Sequence, residues 1–348
     1  MRMQSSPFRI LVHEFLTGGG WQEAELLPRL ASEGIAMLQA VLTDFQLWGR
    51  AYLVTTLDNR LTGLPLAAHR VVSLRHQEHS HTLVDLASQV DAALIIAPES
   101  DGILTRLSSL IEETCTQLLG ASSMGVAIAS DKWDCFLRFS QDGLPTPNSR
   151  RTSCAGAAVV ADELGFPLVV KPVDGFGCEG VSLASDFFSL NLALDLMSAL
   201  HKDVLLQQYL PGTHASVSLL SSASGVRPLS LNEQIMNIGI PFHYEGGVIP
   251  LDHHQKHLAI AYAQRAVSLV PGLRGYVGVD MVLTENQCYV IEINPRLTTS
   301  YVGLRQVINI NLAEAIWRAC IQNMLPNDII LSGKASFRKE DFNVIQYA

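Results

Sequence analysis

Three observations predict that this sequence folds as an α/β domain followed by α+β structure. Over about the first 120 of the 348 residues, short apolar runs alternate with amphipathic stretches, as in a parallel sheet covered by helices. From Leu168 onward, strand-like runs dominate and helical stretches become occasional, which is typical of α+β folds. The composition, 48% hydrophobic and 16% charged, excludes a disordered or fibrous protein.

The elements of the first part follow from hydrophobic periodicity. Buried strands are predicted at residues 8–15, 51–55, 70–74 and 92–97. Amphipathic helices are predicted at residues 23–33, 81–89 and 102–119. A parallel sheet of this kind binds its ligands at the carboxyl ends of its strands.

The pattern changes after Gly120. Residues 127–139 are predicted to be helical, with Ser130 or Asp131 as the N-cap, and a Pro-rich turn at residues 143–147 precedes a new unit. The later strand-like runs read LVVKPV, VSLA, DVLLQQYL, SVSLLSS, YVGVDMVL and CYVIEIN. Helices are predicted among them at residues 187–200, 257–270 and 312–321. The chain is therefore divided into an N-terminal unit at residues 1–125 and two further units at residues 126–210 and 211–348.

Charge and cysteine usage exclude several classes of function. The sequence has 24 Lys and Arg residues against 33 Asp and Glu residues, and no run of like charge appears. A protein that binds a phosphate backbone needs a clustered basic patch, so no nucleic-acid partner is predicted. The six cysteines are widely separated and form no Cys-x-x-Cys pair, which argues against a zinc site or a disulfide framework.

Neither a signal peptide nor a membrane span is predicted. The first apolar stretch is interrupted at once by His13 and Glu14. The longest uncharged segment, residues 204–226, contains two Gln, a Pro-Gly pair and five Ser, which a bilayer core would not accept. We therefore expect a cytoplasmic protein that acts on small molecules, with no membrane partner and with a homodimer left open.

The most informative segment is the glycine-rich stretch at residues 168–182, LVVKPVDGFGCEGVS. Gly175, Gly177 and Gly180 spell the dinucleotide fingerprint GxGxxG, but that motif requires a helix after the glycines, and here another strand follows. The pattern predicts a hairpin flap whose backbone N–H groups can close over polyphosphate oxygens, with Lys171 beside the same phosphates. The alternative is an ordinary glycine-rich turn next to a surface lysine.

A second hairpin, at residues 277–294, carries polar residues where a buried strand pair should be apolar. Strict alternation along the second strand would place Glu292 and Asn294 on one face with Val290, and Ile291 and Ile293 on the other face.

Asp280, on the partner strand, can reach the face that carries Glu292 and Asn294. Burying this set of polar groups is costly unless something compensates them, and an all-oxygen ligand set suits Mg²⁺. Arg296, just beyond the strand, would then be a bidentate donor to phosphate oxygens. The alternative is a hairpin whose polar face lies in water.

These residues, in this order, resemble the ATP-grasp superfamily of carboxylate–amine ligases. The resemblance covers about residues 130 to 305 and includes Asp131-Lys132, Lys171, the glycine loop and the LQQYL segment at residues 206–210. It implies an ATP-grasp fold, with an N-terminal Rossmann-like pre-ATP-grasp domain and two α+β subdomains that enclose the nucleotide.

The resemblance also implies roles for individual residues. ATP would be bound by Lys132, Lys171, Gly175, Gly177, Gly180, Gln207, Gln208, Tyr209, Leu210, His214, Met281 and Ile291. Mg²⁺, which Mn²⁺ can replace, would be bound by Asp280, Glu292 and Asn294, with Arg296 and Lys171 as catalytic residues. His214 departs from the family pattern, which has an acidic residue for the ribose hydroxyls, although a neutral imidazole can still make one hydrogen bond.

Two further stretches resemble a narrower group, the ATP-grasp ligases that join tyramine to L-glutamate in the synthesis of methanofuran-type cofactors. They are ILVHEFLTGGG at residues 10–20 and NPRLTTSYVG at residues 294–303. The resemblance implies an amino acid and an amine as substrates, bound by Glu14, Gly18, Gly19, Arg296, Thr298 and Thr299. Glu14 would pair with an ammonium group or, alternatively, accept hydrogen bonds from local backbone amides. The triple glycine either binds an anion at a helix N-terminus or is only a loop.

The implied reaction is ATP-dependent amide formation through an acyl phosphate, with ADP and phosphate as products. Ligation of other amino acids or of polyglutamate, small-molecule kinase activity and an ATP-binding regulatory role stay open as alternatives. Two groups of histidines, at residues 76, 79 and 81 and at residues 253, 254 and 257, are candidates for metal clusters. No Cys or carboxylate pattern accompanies them, so they are interpreted as polar-loop histidines.

Overall fold

In a computed structural model, the described part of the chain comprises residues 6–22, 28–75, 78–175, 177–200, 203–339 and 344–347. Three β-sheets organise these residues: a parallel sheet of five strands, an antiparallel sheet of four and an antiparallel sheet of seven. None of the described helices is both long and apolar enough to cross a bilayer. The predicted combination of a parallel sheet with later antiparallel structure is confirmed.

The N-terminal domain contains the parallel sheet. Its strands are β1 (Phe8–Glu14), β2 (Ala51–Asp58), β3 (Arg70–Leu74), β4 (Ala92–Ile96) and β5 (Gln117–Leu118), and its helices are α1 (Pro28–Trp48), α2 (His79–Ala87) and α3 (Ile103–Glu112). The strands lie in the order β3-β2-β1-β4-β5, so the direction of winding reverses between β1 and β4. Open α/β sheets bind ligands at the carboxyl ends of strands that flank such a reversal.

Two predicted helices of this domain were wrong in extent. The helix predicted at residues 23–33 is the longer α1, and residues 23–27 of the prediction lie outside the described residues. The helix predicted to reach Leu119 ends at Glu112, because Gln117 and Leu118 pair with β4 as the short strand β5. Thr116 holds the intervening turn by donating a hydrogen bond to the Ala87 carbonyl (2.5 Å).

The four-stranded sheet has the order β6-β9-β7-β8. Its segment comprises α4 (Ser123–Ser130), α5 (Lys132–Gln141), β6 (Ser149–Thr152), α6 (Ala157–Leu164), β7 (Leu168–Pro172), β8 (Ser182–Ala184), α7 (Phe187–Leu200) and β9 (Val204–Gln208). The antiparallel β7–β8 pair confirms that a strand, and not a helix, follows the glycines. The single helix predicted at residues 127–139 is two helices, because the extended Asp131 caps α5 by accepting hydrogen bonds from the Trp133 and Asp134 amides (both 2.9 Å).

The seven-stranded sheet forms the rest of the chain, in the order β14-β13-β10-β11-β12-β15-β16. Its strands are β10 (Thr213–Ser222), β11 (Gly225–Asn237), β12 (His243–Ile249), β13 (Gly275–Leu283), β14 (Cys288–Asn294), β15 (Lys334–Arg338) and β16 (Val344–Tyr347). The helices are α8 (Lys256–Ser268), α9 (Ser300–Val307) and α10 (Leu312–Trp317). Helix α10 continues into one π-helical turn, Arg318–Gln322. The helix predicted at residues 312–321 is therefore confirmed in position, but only its first part is α-helical.

A buried polar network joins the N-terminal domain to the last part of the chain. The Asp44 carboxylate of α1 accepts a hydrogen bond from the Tyr301 hydroxyl (2.7 Å) and forms an ion pair with Arg305 (2.6 Å). Tyr301 and Arg305 both lie on α9. Asn311 donates to the backbone carbonyl of the same aspartate (2.7 Å). Removing one partner would leave buried polar atoms unpaired, so this network fixes the start of α9 against α1.

Candidate active site

A cleft of about 170 Å³ lies between the four-stranded and the seven-stranded sheets. It collects most of the residues that the sequence singled out, although they come from distant parts of the chain. The predicted site residues that line it are Lys132, Lys171, Gly175, Gly177, Gln207, Gln208, Tyr209, Leu210, His214, Asp280, Met281, Ile291, Glu292, Asn294, Arg296, Thr298 and Thr299. Gly180 belongs to the same glycine loop but does not line the cleft.

Two lysine side chains enter the cleft from the four-stranded side and both are buried. Lys132, at the start of α5, donates to the Gly175 carbonyl (2.9 Å) and lies 3.3 Å from the Glu292 carboxylate. Lys171, on β7, donates to the side-chain oxygen of Gln207 on β9 (3.0 Å). The cleft therefore holds two ammonium groups whose positions are fixed by neighbouring strands and by the glycine loop.

The pKa values of the two lysines shift in opposite directions. Burial would lower the pKa of Lys132, but the negative charges of Glu292 and Glu99 outweigh it and the pKa is raised. Burial lowers the pKa of Lys171 to about 8, with the Lys132 charge adding to the effect and Glu292 opposing it. Anionic phosphate beside Lys171 would favour its charged form, so ligand binding and protonation of this lysine reinforce each other.

Two carboxylates from adjacent strands face each other directly. Asp280 on β13 pairs in register with Glu292 on β14, and Gln234 donates to the Asp280 carboxylate (3.1 Å). Burial, and then the like charge of Glu292, raise the pKa of Asp280. Burial would also raise the pKa of Glu292, but Lys132 and Lys171 outweigh it and the pKa is lowered.

This donor set fits a hard divalent cation. It offers two carboxylates and the Asn294 amide, which already hydrogen-bonds Asp280, and a cation there would offset the repulsion that raises the pKa of Asp280. Within the described residues, no group of three or more His, Cys, Asp and Glu side chains forms a metal cage. A cation with only these protein ligands would keep positions for water and phosphate oxygens, as Mg²⁺ does.

A β-bulge in β14 corrects the alternation expected from the sequence. Asp280 pairs with Glu292 but Met281 pairs with Val290, so Ile291 has no partner and the register shifts there. Val290 and Ile293 therefore face the hydrophobic core, whereas Ile291 lines the cleft with the carboxylates. The predicted faces of Val290 and Ile291 were wrong because strict period two assumes an unbulged strand.

Arg296 follows β14 and is held by the N-terminal domain. One terminal nitrogen donates to the Glu99 carboxylate (2.9 Å) and the other to the Leu297 carbonyl (2.9 Å). Burial would lower the pKa of Arg296, but Glu99 outweighs it and the pKa is raised. The buried Arg296 Nε, Glu99 Oε1 and Ser100 Oγ have no hydrogen-bond partner among the described residues. Such unsatisfied buried atoms indicate that a polar ligand or water completes this corner.

The glycine loop has the backbone that a flap needs. Gly177 and Gly180 have positive φ values of 62° and 70°, which glycine adopts without strain. Cys178 between them also has a positive φ of 69°. Gly175 and Gly177 line the same cleft as the two lysines, and the Gly175 carbonyl accepts a hydrogen bond from Lys132.

Part of the cleft lining is apolar. It includes Pro147, Val169, Val181, Leu210, Met236, Phe242, Met281, Val282 and Ile291. A purine ring would bury its faces against such side chains. His214 lines the cleft opposite Val282 in the β10–β13 pair, and burial lowers its pKa, so that the neutral imidazole can donate or accept one hydrogen bond.

The predicted amine-binding residues of the N-terminal domain lie outside this cleft. Glu14 is buried and accepts hydrogen bonds from the Thr17 amide (2.7 Å), the Thr17 hydroxyl (2.6 Å) and the Leu16 amide (3.3 Å). The alternative in which Glu14 binds local backbone amides is therefore the observed arrangement. Glu14 also borders a small cavity of about 30 Å³, which adjoins the cleft at Glu33 and Arg296.

The triple glycine is a packing feature and lines neither cavity. A Cβ on Gly18 would lie 2.6 Å from the Thr56 hydroxyl and 2.7 Å from the His13 ring, and one on Gly19 would lie 3.0 Å from the Leu74 side chain. The predicted substrate contact of Gly18 and Gly19 is thus not supported by their positions, because the glycines are needed for close packing against β2 and β3.

Sequence reasoning missed several residues that the fold brings to the site. Besides Glu99, they are Glu33 on α1, Gln234 on β11 and Tyr244 on β12, all of which line the cleft. No local motif marks them, although Glu99 could have been found as the acidic residue directly after the apolar run of β4. The interpretation of the histidines as loop residues was wrong for His79 and His81, which lie in α2, and for His257, which lies in α8. His79 is buried, with its Nε2 3.0 Å from that of His13. His76 lies outside the described residues.

Comparisons with known proteins show the superfamily to which the sequence resemblance pointed. Residues 51–126 match a family model described as a pre ATP-grasp 3 domain, and residues 129–300 match one described as an ATP-grasp domain. A tyramine–L-glutamate ligase of Methanocaldococcus jannaschii is 28% identical over 313 residues, 88% of this chain and 87% of that protein. Another, from Methanocaldococcus fervens, is 32% identical over 217 residues, 62% of each chain.

One solved structure with the same fold contains ADP. It is the biotin carboxylase domain dimer of the Hydrogenobacter thermophilus 2-oxoglutarate carboxylase, in complex with MgADP, ADP and bicarbonate. The TM-score is 0.76 at 16% identity, with 96% of this chain and 74% of that chain covered. The comparisons confirm the predicted fold and the enzyme class, an ATP-dependent carbon–nitrogen ligase. With a pre-ATP-grasp domain ahead of the cleft and an ATP-grasp domain around it, the chain belongs to the ATP-grasp superfamily.

Proposed function

We propose that this protein joins the side-chain carboxylate of L-glutamate to tyramine or a related aromatic amine, with conversion of ATP to ADP and phosphate. The observation that carries the proposal is the meeting of Lys132, Lys171 and Arg296 with the Asp280–Glu292 pair in one buried cleft. The tyramine–L-glutamate ligase of M. jannaschii, similar over most of both chains, supports the choice of substrates.

The chemistry explains why these groups are needed together. A carboxylate is a poor electrophile, and attack of its oxygen on the γ-phosphorus of ATP gives an acyl phosphate and ADP. The amine then attacks the acyl carbon, phosphate leaves, and the amine nitrogen loses a proton. The first step spreads negative charge over the transferred phosphoryl oxygens, so fixed positive charges stabilise it more than they stabilise bound ATP.

Each residue has a role that its position supports. Lys132 and Lys171 bind phosphate oxygens, and Arg296 binds the acid, whose carboxylate would occupy the corner where the arginine Nε lacks a partner among the described residues. Thr298 and Thr299 offer hydroxyl donors beside it. Asp280, Glu292 and Asn294 would hold Mg²⁺, for which Mn²⁺ would substitute, and the cation would neutralise charge on the phosphates.

The amine would approach from the N-terminal domain. The small cavity next to Glu14 lies at the carboxyl ends of β1 and β4, where the winding of the parallel sheet reverses. Its wall includes the apolar side chains of Leu16, Met37 and Ile96. The apolar part of this wall supports the ring of an aromatic amine, and Glu14 and Glu33 in the same wall provide carboxylates for its ammonium group.

The products provide the first test. Given ATP, Mg²⁺, L-glutamate and tyramine, the protein should release ADP and phosphate and form a γ-glutamyl amide that mass spectrometry detects. ADP release should require both the acid and the amine. AMP and pyrophosphate as products would contradict the mechanism, and ADP release with a phosphorylated hydroxyl compound would favour a kinase instead. Robust ligation of a different acid and amine would reject only the substrates.

The flap gives a second prediction. Gly177→Pro should raise ATP hydrolysis that is uncoupled from ligation while leaving ATP affinity within about threefold, because proline fixes φ near −65° where this loop needs +62°. A displaced flap would admit water to the acyl phosphate. Phosphate release and amide formation measured in parallel give the coupling ratio.

Gly63→Pro is the matched control, since Gly63 also has a positive φ, 90°, but lies in a turn outside the cleft. An unchanged ratio of phosphate to amide in Gly177→Pro would show that the loop does not guard the intermediate.

The division of the chain and its assembly are also proposals. The three predicted units, residues 1–125, 126–210 and 211–348, are supported by the three sheets, whose described strands each fall within one unit. The Hydrogenobacter thermophilus structure is of a dimer, which supports a homodimer here. Small-angle scattering and gel filtration would measure the assembly.

A further inference from the structure

One ion pair at the cleft wall has no role in the reaction as described so far. Glu33 of α1 and Lys339, directly after β15, lie 3.0 Å apart, with 16% and 14% of their side chains exposed. Taking two charges out of water is costly, so a partly buried pair is weak evidence for a purely stabilising role. The pair joins segments that are about 300 residues apart in the sequence.

The surroundings of the pair belong to the site. Glu33 lines the cleft together with Arg296, Thr299 and Tyr244. The Tyr244 ring lies 5.8 Å from the Lys339 ammonium, and its hydroxyl is 3.3 Å from that of Thr299. The pair therefore stands next to the corner in which the acid substrate is proposed to bind.

The flap reaches the same place. The Lys339 ammonium lies 3.9 Å from the position of a Cβ built on Gly177. A ligand group bound between Glu33 and Lys339 would therefore lie under the tip of the glycine loop.

Glu33 is also the acidic residue of the cleft that belongs neither to the proposed metal site nor to the exposed flap, and it borders the small cavity proposed for the amine as well. The acidic residues that line it are Glu33, Glu179, Asp280 and Glu292. Asp280 and Glu292 face each other and the lysines, and Glu179 is exposed on the flap. A substrate ammonium beside Arg296 and Thr299 would thus be met by Glu33.

We infer that Glu33 and Lys339 together recognise the head group of an α-amino acid, Glu33 binding the α-ammonium and Lys339 the α-carboxylate. This inference rests on the proposed function and specifies how its acid is selected. The α-carbon of an amino acid bears an ammonium group and a carboxylate group. These two groups can replace the direct Glu33–Lys339 contact, the ammonium pairing with Glu33 and the carboxylate pairing with Lys339. The side-chain carboxylate is then free to reach Arg296 and the phosphoryl group.

Substrate analogues separate the two contacts. Glutarate lacks the α-ammonium of L-glutamate, and 4-aminobutyrate lacks its α-carboxylate. The experiment measures kcat/KM for ADP release with each of the three acids, at saturating ATP and tyramine, for the wild type, Glu33→Gln and Lys339→Gln. Glu163→Gln and Lys334→Gln, at exposed positions outside the cleft, are the matched controls.

Each variant should lose its preference for L-glutamate over only one of the two analogues. Glu33→Gln should lower kcat/KM for L-glutamate by about 10- to 100-fold, mainly through KM, and leave glutarate within about twofold, since a contact with a charged group is lost. Lys339→Gln should do the same for L-glutamate and leave 4-aminobutyrate nearly unchanged. Equal losses for all three acids would mean that the pair is structural and would overturn the inference.

The outcomes also distinguish this inference from the proposed function. If the wild type forms the γ-glutamyl amide but both variants still prefer L-glutamate over both analogues, the inferred head-group contacts are wrong and the proposed function stands. A wild type that ligates no α-amino acid as its acid overturns both. Thermal unfolding of each variant reports whether it folds, and the two variants test the pair independently.

Discussion

Replacing Lys171 with Met should lower the turnover number for ADP formation by about a hundredfold or more, which is the scale for losing a preorganised electrostatic contact. The Lys171 side chain is buried and is fixed by Gln207 of the neighbouring strand β9, so that no reorganisation is needed when charge develops on the phosphoryl group. Methionine keeps a similar volume and avoids a cavity. The measurement is the rate of ADP release at saturating ATP and substrates.

Lys334→Met, at an exposed position on β15, controls for the general loss of a positive charge. Loss of the ammonium leaves the buried Gln207 oxygen without that donor, which should cost about 1 to 3 kcal/mol of folding free energy. Thermal unfolding checks that Lys171→Met is still folded at the assay temperature. A folded variant with near-normal turnover would place the phosphates elsewhere.

The parts of the fold that sequence analysis identified have strong local signals. The β7–β8 hairpin could be distinguished from a dinucleotide-binding unit because a strand-like run follows the glycines, and the structure shows that strand. Strand β11 was missed because it contains Pro228 and several polar residues, which normally disfavour a strand. Pro228 is tolerated opposite Leu219, where the register of β10 and β11 shifts.

Strand β12 was missed for a different reason, since its paired glycines, Gly246 and Gly247, look like a turn. A Cβ on Gly246 would lie 2.1 Å from the Phe337 carbonyl, so glycine is required by the close approach of β15. That requirement depends on a neighbouring strand about 90 residues away in the sequence, and no local pattern reveals it.

The residues of the candidate site also divide into those that the sequence could predict and those that it could not. Lys171 and the Asp280, Glu292 and Asn294 set could be proposed because each lies within a short motif whose spacing constrains its chemistry. Glu99 pairs with Arg296 across 197 positions of the sequence, and such a contact exists only in the folded chain. The bulge at Ile291 is likewise a tertiary result, and it brings an apolar side chain into a cleft that strict alternation had given to Val290.

The second large effect is expected at the carboxylate pair. Glu292→Gln should lower turnover by about a hundredfold or more and raise the Mg²⁺ concentration for half-maximal rate by at least about tenfold. Gln keeps the shape of the side chain and one oxygen ligand but removes the negative charge that a hard cation requires. The substitution also removes the negative charge that lies 3.3 Å from the Lys132 ammonium. The repulsion between Lys132 and Lys171 would then be less well offset.

Glu285→Gln is the matched control, because Glu285 lies in the exposed turn that joins the same two strands. The rate should be titrated with Mg²⁺ for the wild type and both variants, and removal of the metal with EDTA should stop ADP formation in the wild type. An unchanged Mg²⁺ dependence in a folded Glu292→Gln variant would exclude this carboxylate as a metal ligand. A lower turnover at every Mg²⁺ concentration, with an unchanged midpoint, would instead assign Glu292 to the positioning of Lys132.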